Sequence, residues 1–410
     1  GLYLLGGKYG IGTINALAKG REKIWNAFAD FGLSVGFGIL SYKFLKNKRI
    51  WATGIFSIIL IMIFVMGNLS VILDFMPSIS EKVAAQEITQ KSTQSILPLL
   101  SYISLFVVSL VGGLSLLTIY LILLSGIEVL SSVFTAVSTS AYAPLKQQVP
   151  GVYPVIPGLT IPLAAGIMAL ALLLVVHEFS HGVLARTAKV KIKSVGLVLF
   201  GIIPFGAFVQ PDENSVKRLP KDKQNRIYIA GISANIIASV IFLVLMFLVV
   251  DFWLTNINTQ GVRITAVING TPASKALSPG TAIFKWNNYI ITNEYALERI
   301  ESNYSHGSVK LYTSKGIVNI TPMSNGMLGI ELVPNVENAA YKIAYFLFTF
   351  FGLSFALNFF VGIFNLLPIP GFDGWRIYAN EIKNTKLLNG ILALIIVSIL
   401  LNAIPWIWYF

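Results

Sequence analysis

The chain has 410 residues, 55% of them hydrophobic and only 12% charged, with a mean hydropathy of +0.74. Soluble domains carry about 25% charged residues, so this composition excludes an ordinary soluble protein and a disordered one. The absence of Cys also excludes a disulfide scaffold or a thiolate metal site. The formal charge of +12 on so apolar a chain is expected in membrane-flanking loops, not in a nucleic-acid surface. The chain reads as a polytopic α-helical membrane protein.

A bilayer crossing takes about 20 mostly apolar residues. Such runs occupy 51–75, 98–130, 161–186, 227–252, 342–366 and 385–409, with a shorter, ambiguous run at 28–44. As one helix, 98–130 would be about 50 Å long. It is therefore either a single tilted helix or two pieces broken near Gly112-Gly113. Residues 1–150 are expected to form an N-terminal membrane region with accessory helices.

The segment 191–216 is apolar but interrupted by Gly196, Gly201, Pro204 and Gly206. Non-helical backbone at membrane depth survives only inside protein or beside a wet cavity. The segment reads as a re-entrant, strand-like hairpin, with a loop packed on the membrane surface as the alternative. Next come Lys217, Arg218, Lys221, Lys223 and Arg226 against a single acid, Asp222. By the positive-inside rule this loop is cytoplasmic. The helix before it then runs inward, and the domain after the next helix is extracytoplasmic.

Between 253 and 338 polar residues return. Alternation at Val262-Arg263-Ile264-Thr265-Ala266-Val267 predicts a strand, Asn269-Gly270 and Pro279-Gly280 predict turns, and 292–302 predicts a short helix. This is a small α/β domain inserted between two membrane helices. It divides a membrane core into 151–252 and 339–410.

The chain has three His, and two of them stand in His177-Glu178-Phe179-Ser180-His181 near the end of an apolar helix. A spacing of four puts both imidazoles on one helical face, where they can share a metal. Glu178 lies about 100° round, within reach of water at that metal. Independent placement predicts about 6 × 10⁻⁴ such matches in a chain of this composition. A structural His pair with Glu178 in a salt bridge is the alternative, and it is a poor use of ionisable groups in a membrane helix. A site that still admits water needs a third protein ligand, here a carboxylate or His306. Asp373 follows an inward-running helix in Asn365-Leu366-Leu367-Pro368-Ile369-Pro370-Gly371-Phe372-Asp373-Gly374, where the prolines and Gly371 break the helix. An interfacial helix cap is its other reading.

HExxH on one membrane helix with NxxPxxxxDG on a later one resembles the site-2 protease family of intramembrane zinc metalloproteases, in its archaeal type. Gly206-Ala207-Phe208-Val209-Gln210-Pro211 is similar to the stretch after that family's re-entrant hairpin. Ala230-Gly231-Ile232-Ser233-Ala234-Asn235 is similar to its small-residue and Asn motif, with Ile232 where many relatives carry Pro. The resemblance implies Zn2+ on His177, His181 and Asp373, with Glu178 as general base and Asn365 supporting the tetrahedral intermediate. Asn235 is expected either to line the substrate groove or to bond packed helices together. Phe205 and Gly206 of the hairpin are expected beside the substrate.

The stretch from Val262 to Ile291 resembles a protease-associated PDZ domain, with Met327-Leu328-Gly329-Ile330 as a carboxylate-binding strand end. A PDZ-like domain binds a peptide, sorts substrate ectodomains by size, or serves as a structural lid. The implied activity is peptide-bond hydrolysis in transmembrane protein substrates within the lipid bilayer of the cell. Two alternatives remain, a catalytically silent scaffold of the same fold and a metalloprotease with a downstream Glu as third ligand. No inverted repeat suggests a transporter.

Overall fold

The computed structural model describes residues 2–7, 10–67, 97–139, 155–200, 203–251, 261–268, 270–292, 294–302, 304, 307–323, 326–335 and 339–405. Six described helices are long and apolar enough to cross a membrane, over Glu22–Lys43, Ile103–Thr139, Leu163–Thr187, Ala230–Val249, Lys342–Phe364 and Thr385–Ala403. Their apolar residues run round the whole circumference, and a helix satisfies its own backbone, as a bilayer requires. The chain divides into two compact units, 1–243 with 352–410, and 244–351.

In the first unit, strand β1 (Leu2–Gly7) leads into helices α1 (Ile11–Ala18), α2 (Glu22–Phe37) and α3 (Lys48–Gly67). The ambiguous run at 28–44 is thus α2 and the 3₁₀ turn Gly38–Lys43 that continues it. The apolar run 51–75 is helical to Gly67, and its remainder, 68–75, lies outside the described residues. Helix α4 (Leu97–Thr139) is broken at Gly113, where φ is +62°. Here α2 comes so close that a Cβ on Gly113 would lie 2.4 Å from the Val35 carbonyl oxygen. Of the two readings of this long run, the broken one holds. Its cause is both the left-handed backbone and the lack of room.

Helix α5 (Leu163–Thr187) is followed by β2 (Ile192–Phe200) and β3 (Ile203–Pro211), then by α6 (Glu213–Lys217), α7 (Lys221–Tyr228) and α8 (Ala230–Val249). The glycine-interrupted segment is a hairpin of two antiparallel strands, with Val195 opposite Val209 and Gly196 opposite Phe208. Sequence reasoning missed its third strand. Residues Leu2–Gly7 pair antiparallel with β2, so the order is β1-β2-β3 and β3 is an edge. That edge strand packs against α5. Helices α10 (Ala339–Phe364), α11 (Asp373–Glu381) and α12 (Thr385–Ala403) complete the chain, and the last part of α10 with α11 and α12 belongs to this unit. Its core of Ile14, Leu33, Leu184, Ile229, Ile232 and Leu366 lies where α5, α7, α8 and the turn before α11 converge.

The second unit holds strands β4 (Val262–Val267), β5 (Ala282–Trp286), β6 (Tyr289–Ile290), β7 (Val309–Thr313), β8 (Gly316–Ile320) and β9 (Ile330–Pro334), with helix α9 (Glu294–Ser302). The sheet runs β8-β7-β5-β4-β9, with β6 paired to β5, around Ile264, Ile283, Trp286, Leu297, Leu311 and Leu328. Alternation at 262–267 does read as a strand, Val262 and Ile264 pointing into this core. Asn269 and His306 lie outside the described residues.

Glu301, in the last turn of α9, is largely buried. Burial raises its pKa to about 7; the Leu328 N–H offsets part of that rise, while Glu298 adds to it. A carboxyl whose folded pKa exceeds its unfolded one favours the folded state below the unfolded value, near 4.3, and loses that contribution as pH rises through about 7. Amide exchange across β7 in the intact protein, corrected for intrinsic rates, should therefore show this unit less protected at pH 8 than at pH 5. Glu301→Gln should flatten that difference.

Candidate metal centre

Helix α5 places His177 and His181 one turn apart on the same face, with ring centroids 4.9 Å apart. Asp373 is the first residue of α11, 192 positions later. The turn before it carries Pro368, Pro370 and Gly371, and the Asn365 carbonyl accepts the Gly374 N–H at 2.7 Å to close it. A Cβ on Gly374 would lie 2.4 Å from the Leu366 carbonyl, so only glycine lets this turn close.

Three ligand atoms converge. Asp373 Oδ2 lies 3.1 Å from His177 Nε2 and 3.0 Å from His181 Nε2, and the two Nε2 atoms are 3.3 Å apart. Four-coordinate zinc, with bonds of about 2.0–2.1 Å, separates its ligands by about 3.3 Å. The donor set and its spacing therefore suit a tetrahedral cation. The three side chains are 12%, 13% and 18% exposed, which limits competition from bulk water.

The hydrogen bonds behind the imidazoles point the same way. His181 Nδ1 donates to the Ile227 carbonyl at 2.7 Å, which leaves Nε2 as a lone-pair donor. His177 Nδ1 lies 3.1 Å from the Asn235 side-chain amide, while Asn235 Oδ1 is buried without a partner among the described residues. Turning that amide over brings Oδ1 against the Nδ1–H of His177, which satisfies both groups and bares Nε2. With that amide turned, the second partner of His177 suits an imidazole whose Nε2 could hold a cation.

Glu178 Oε2 accepts the Val209 N–H of β3 at 3.0 Å, which holds the carboxylate between the ligand helix and the hairpin. The base of the hairpin is fixed in turn by Lys193 and Asp212, 2.8 Å apart. Hydrogen bonds from Lys193 and Ser215 hold the Asp212 pKa down to about 2. A cleft of about 600 Å³ bounded by Val209, Gln210, Ile227, Tyr228, Trp375 and Arg376 adjoins the residues that hold Glu178 and His181.

The structure thus brings His177, Glu178, His181, Asn235 and Asp373 together. The Asn365 backbone clasps the neighbour of Asp373, and its side chain is half-buried. Gly206 lies in β3 opposite Val198, three residues from the strand's contact with Glu178. Phe205 is in the same strand, and its side chain lies outside the described residues.

In the sequence Gly231 reads only as part of a small-residue motif. A Cβ there would lie 2.5 Å from the His177 ring. Glycine is what lets α8 and the ligand helix close on that imidazole.

Two outcomes follow for zinc binding, read by metal analysis and chelator competition. Asp373→Ala should lose the metal during purification. Gly231→Ala, which keeps every ligand but displaces His177, should weaken zinc roughly 10–100-fold, as loss of ligand support does.

The family model for peptidase family M50 matches residues 165–402, which takes in both ligand-bearing segments. An uncharacterised protein of Methanocaldococcus jannaschii is 30% identical over 239 residues, 56% of this chain and 61% of that relative. The chain therefore spans less than two thirds of the relative's length. With six apolar helices of spanning length, this is an integral membrane protein. The match covers more than half of its residues, and the chain belongs to peptidase family M50, the site-2 protease family of zinc metalloproteases.

Proposed function

We propose that this chain is an intramembrane zinc endopeptidase that hydrolyses peptide bonds within or near the transmembrane segments of membrane-protein substrates. The observation that carries the reading is Glu178, held by the Val209 N–H beside His177, His181 and Asp373. Zinc bound by those three side chains would supply Lewis acidity, polarising the peptide carbonyl and making water nucleophilic at neutral pH. With Oε2 engaged by Val209, Oε1 of Glu178 is the atom that takes the proton from attacking water and returns it to the leaving nitrogen. Asn365, beside the clasp to Gly374, is assigned to steady the developing oxyanion with its side-chain amide.

A transmembrane helix hides its peptide bonds in its own hydrogen bonds and has to unwind to be cut. β3 is an edge strand packed against the ligand helix, so it can pair with an extended segment and replace the bonds lost on unwinding. Phe205 and Gly206 would then lie along the substrate, with the hairpin as the re-entrant element. The contact of Asn235 with His177 favours ligand support over a place in the substrate groove.

The basic run from Lys217 to Arg226 assigns this centre to the cytoplasmic side. On that reading the unit holding β4–β9 is extracytoplasmic. In that unit β9 is an edge strand, and Gly329 before it adopts φ +80°. This suits a PDZ-like domain that takes peptide or substrate ectodomain by strand addition.

The test uses the purified protein in liposomes with a panel of single-span substrates. Glu178→Gln should keep its zinc while cleavage falls at least 10²–10⁴-fold, the usual contribution of a general base. Cleavage retained by that variant would overturn the role of Glu178. A zinc-loaded wild type that cuts none of the panel would favour a silent scaffold.

A further inference from the structure

The family match begins at residue 165, yet the two halves of the metal centre are also held from helices that precede it. The first hold starts at Asp30 of α2, a carboxylate only 2% exposed. It accepts both prongs of the Arg226 guanidinium, Nε at 2.7 Å and Nη2 at 2.9 Å. A forked pair of this kind fixes orientation as well as distance. Arg226 lies in the last turn of α7, and the next residue is Ile227, whose carbonyl accepts from His181. Asp222 stands 3.9 Å from Arg226 and 2.9 Å from Lys46, a weaker and more exposed tie to the same N-terminal region.

The second hold starts at Ser115 of α4, fully buried two residues beyond the break at Gly113. Its hydroxyl donates to the Leu366 carbonyl at 3.0 Å and lies 2.8 Å from the Tyr378 hydroxyl, which donates to it. Leu366 opens the turn before Asp373, and Tyr378 sits one turn and a half into the helix that Asp373 begins. One hydroxyl therefore bridges both arms of the turn that presents the third ligand. The two holds are themselves joined, because α2 and α4 cross where Gly38 and Gly113 leave no room for a Cβ on either.

We propose that Asp30 and Ser115 are positioning residues of the metal centre, Asp30 acting on His181 through Arg226 and the Ile227 carbonyl, and Ser115 acting on Asp373 through Leu366 and Tyr378. This rests on the reading of His177, His181 and Asp373 as zinc ligands. On this account the N-terminal helices set metal affinity without contributing a ligand.

The experiment measures zinc affinity of the full chain in detergent by competition with a chromophoric chelator, alongside the melting temperature of the chelated protein. Asp30→Asn and Ser115→Ala should each weaken zinc roughly tenfold, the low end for lost ligand support. Asp30→Glu should recover part of the loss. Ile58→Ala, in the separate cluster formed by Val35, Ile58 and Met62, should lower the melting temperature and leave zinc affinity unchanged. Should Asp30→Asn fail to fold, Arg226→Lys keeps the charge, breaks the fork and carries the same test. Zinc affinities within twofold of wild type for the single variants would overturn the proposal, as would an equal loss in Ile58→Ala. A wild type that binds no zinc would overturn the ligand reading instead.

Discussion

Three electron-rich atoms, two imidazole nitrogens and a carboxylate oxygen, stand within 3.3 Å of one another in a chain of which only 12% of residues are charged. In such surroundings each loses hydration that nothing apolar can replace. Their lone pairs also repel one another unless a cation or protons lie between them. The arrangement persists because the groups around it are fixed first. Nδ1 of each ring is directed by a buried polar partner, one ring is flanked by a glycine that cannot push it away, and the carboxylate starts a helix whose turn is closed by its own backbone. The cost of crowding is met by rigidity elsewhere, as strained or charged sites in folded proteins generally require.

That rigidity has to be assembled across long stretches of chain. His181 and Asp373 are 192 positions apart, and the elements between them include a whole compact unit of a different character. Helices bring them together by packing. In a membrane this depends on close approach and buried polar contacts, because lipid offers no hydrophobic drive for one helix to seek another. The glycine crossing of α2 and α4, the serine bridge to Leu366 and the forked Asp30–Arg226 pair are all of this kind.

Much of the centre was legible in the sequence because its chemistry is local. His177, Glu178 and His181 fall on adjoining faces of one helix by spacing alone. Asp373 needed two further facts, the lack of cysteine and the helix-breaking Pro368 and Pro370, and its assignment still leaned on family resemblance. The hairpin was legible as broken backbone, because glycine and proline interrupt an apolar run. Its third strand was not, since Leu2–Gly7 is short and shows its character only when paired with β2. Gly231, Asn235 and Arg226 mark the limit in another way. Their residue types were visible, but which ring, carbonyl or carboxylate each would meet depends on how distant helices pack, and that information is not carried by any local pattern.

On the proposed reading, the bond from Val209 to Glu178 joins two things usually treated separately, the seat of the substrate and the readiness of the base. The edge strand β3 is the strand whose amide holds the carboxylate. On the proposed reading, an extended guest that shifted β3 would therefore also re-aim Glu178. Conversely, a hairpin out of register leaves the base pointing elsewhere.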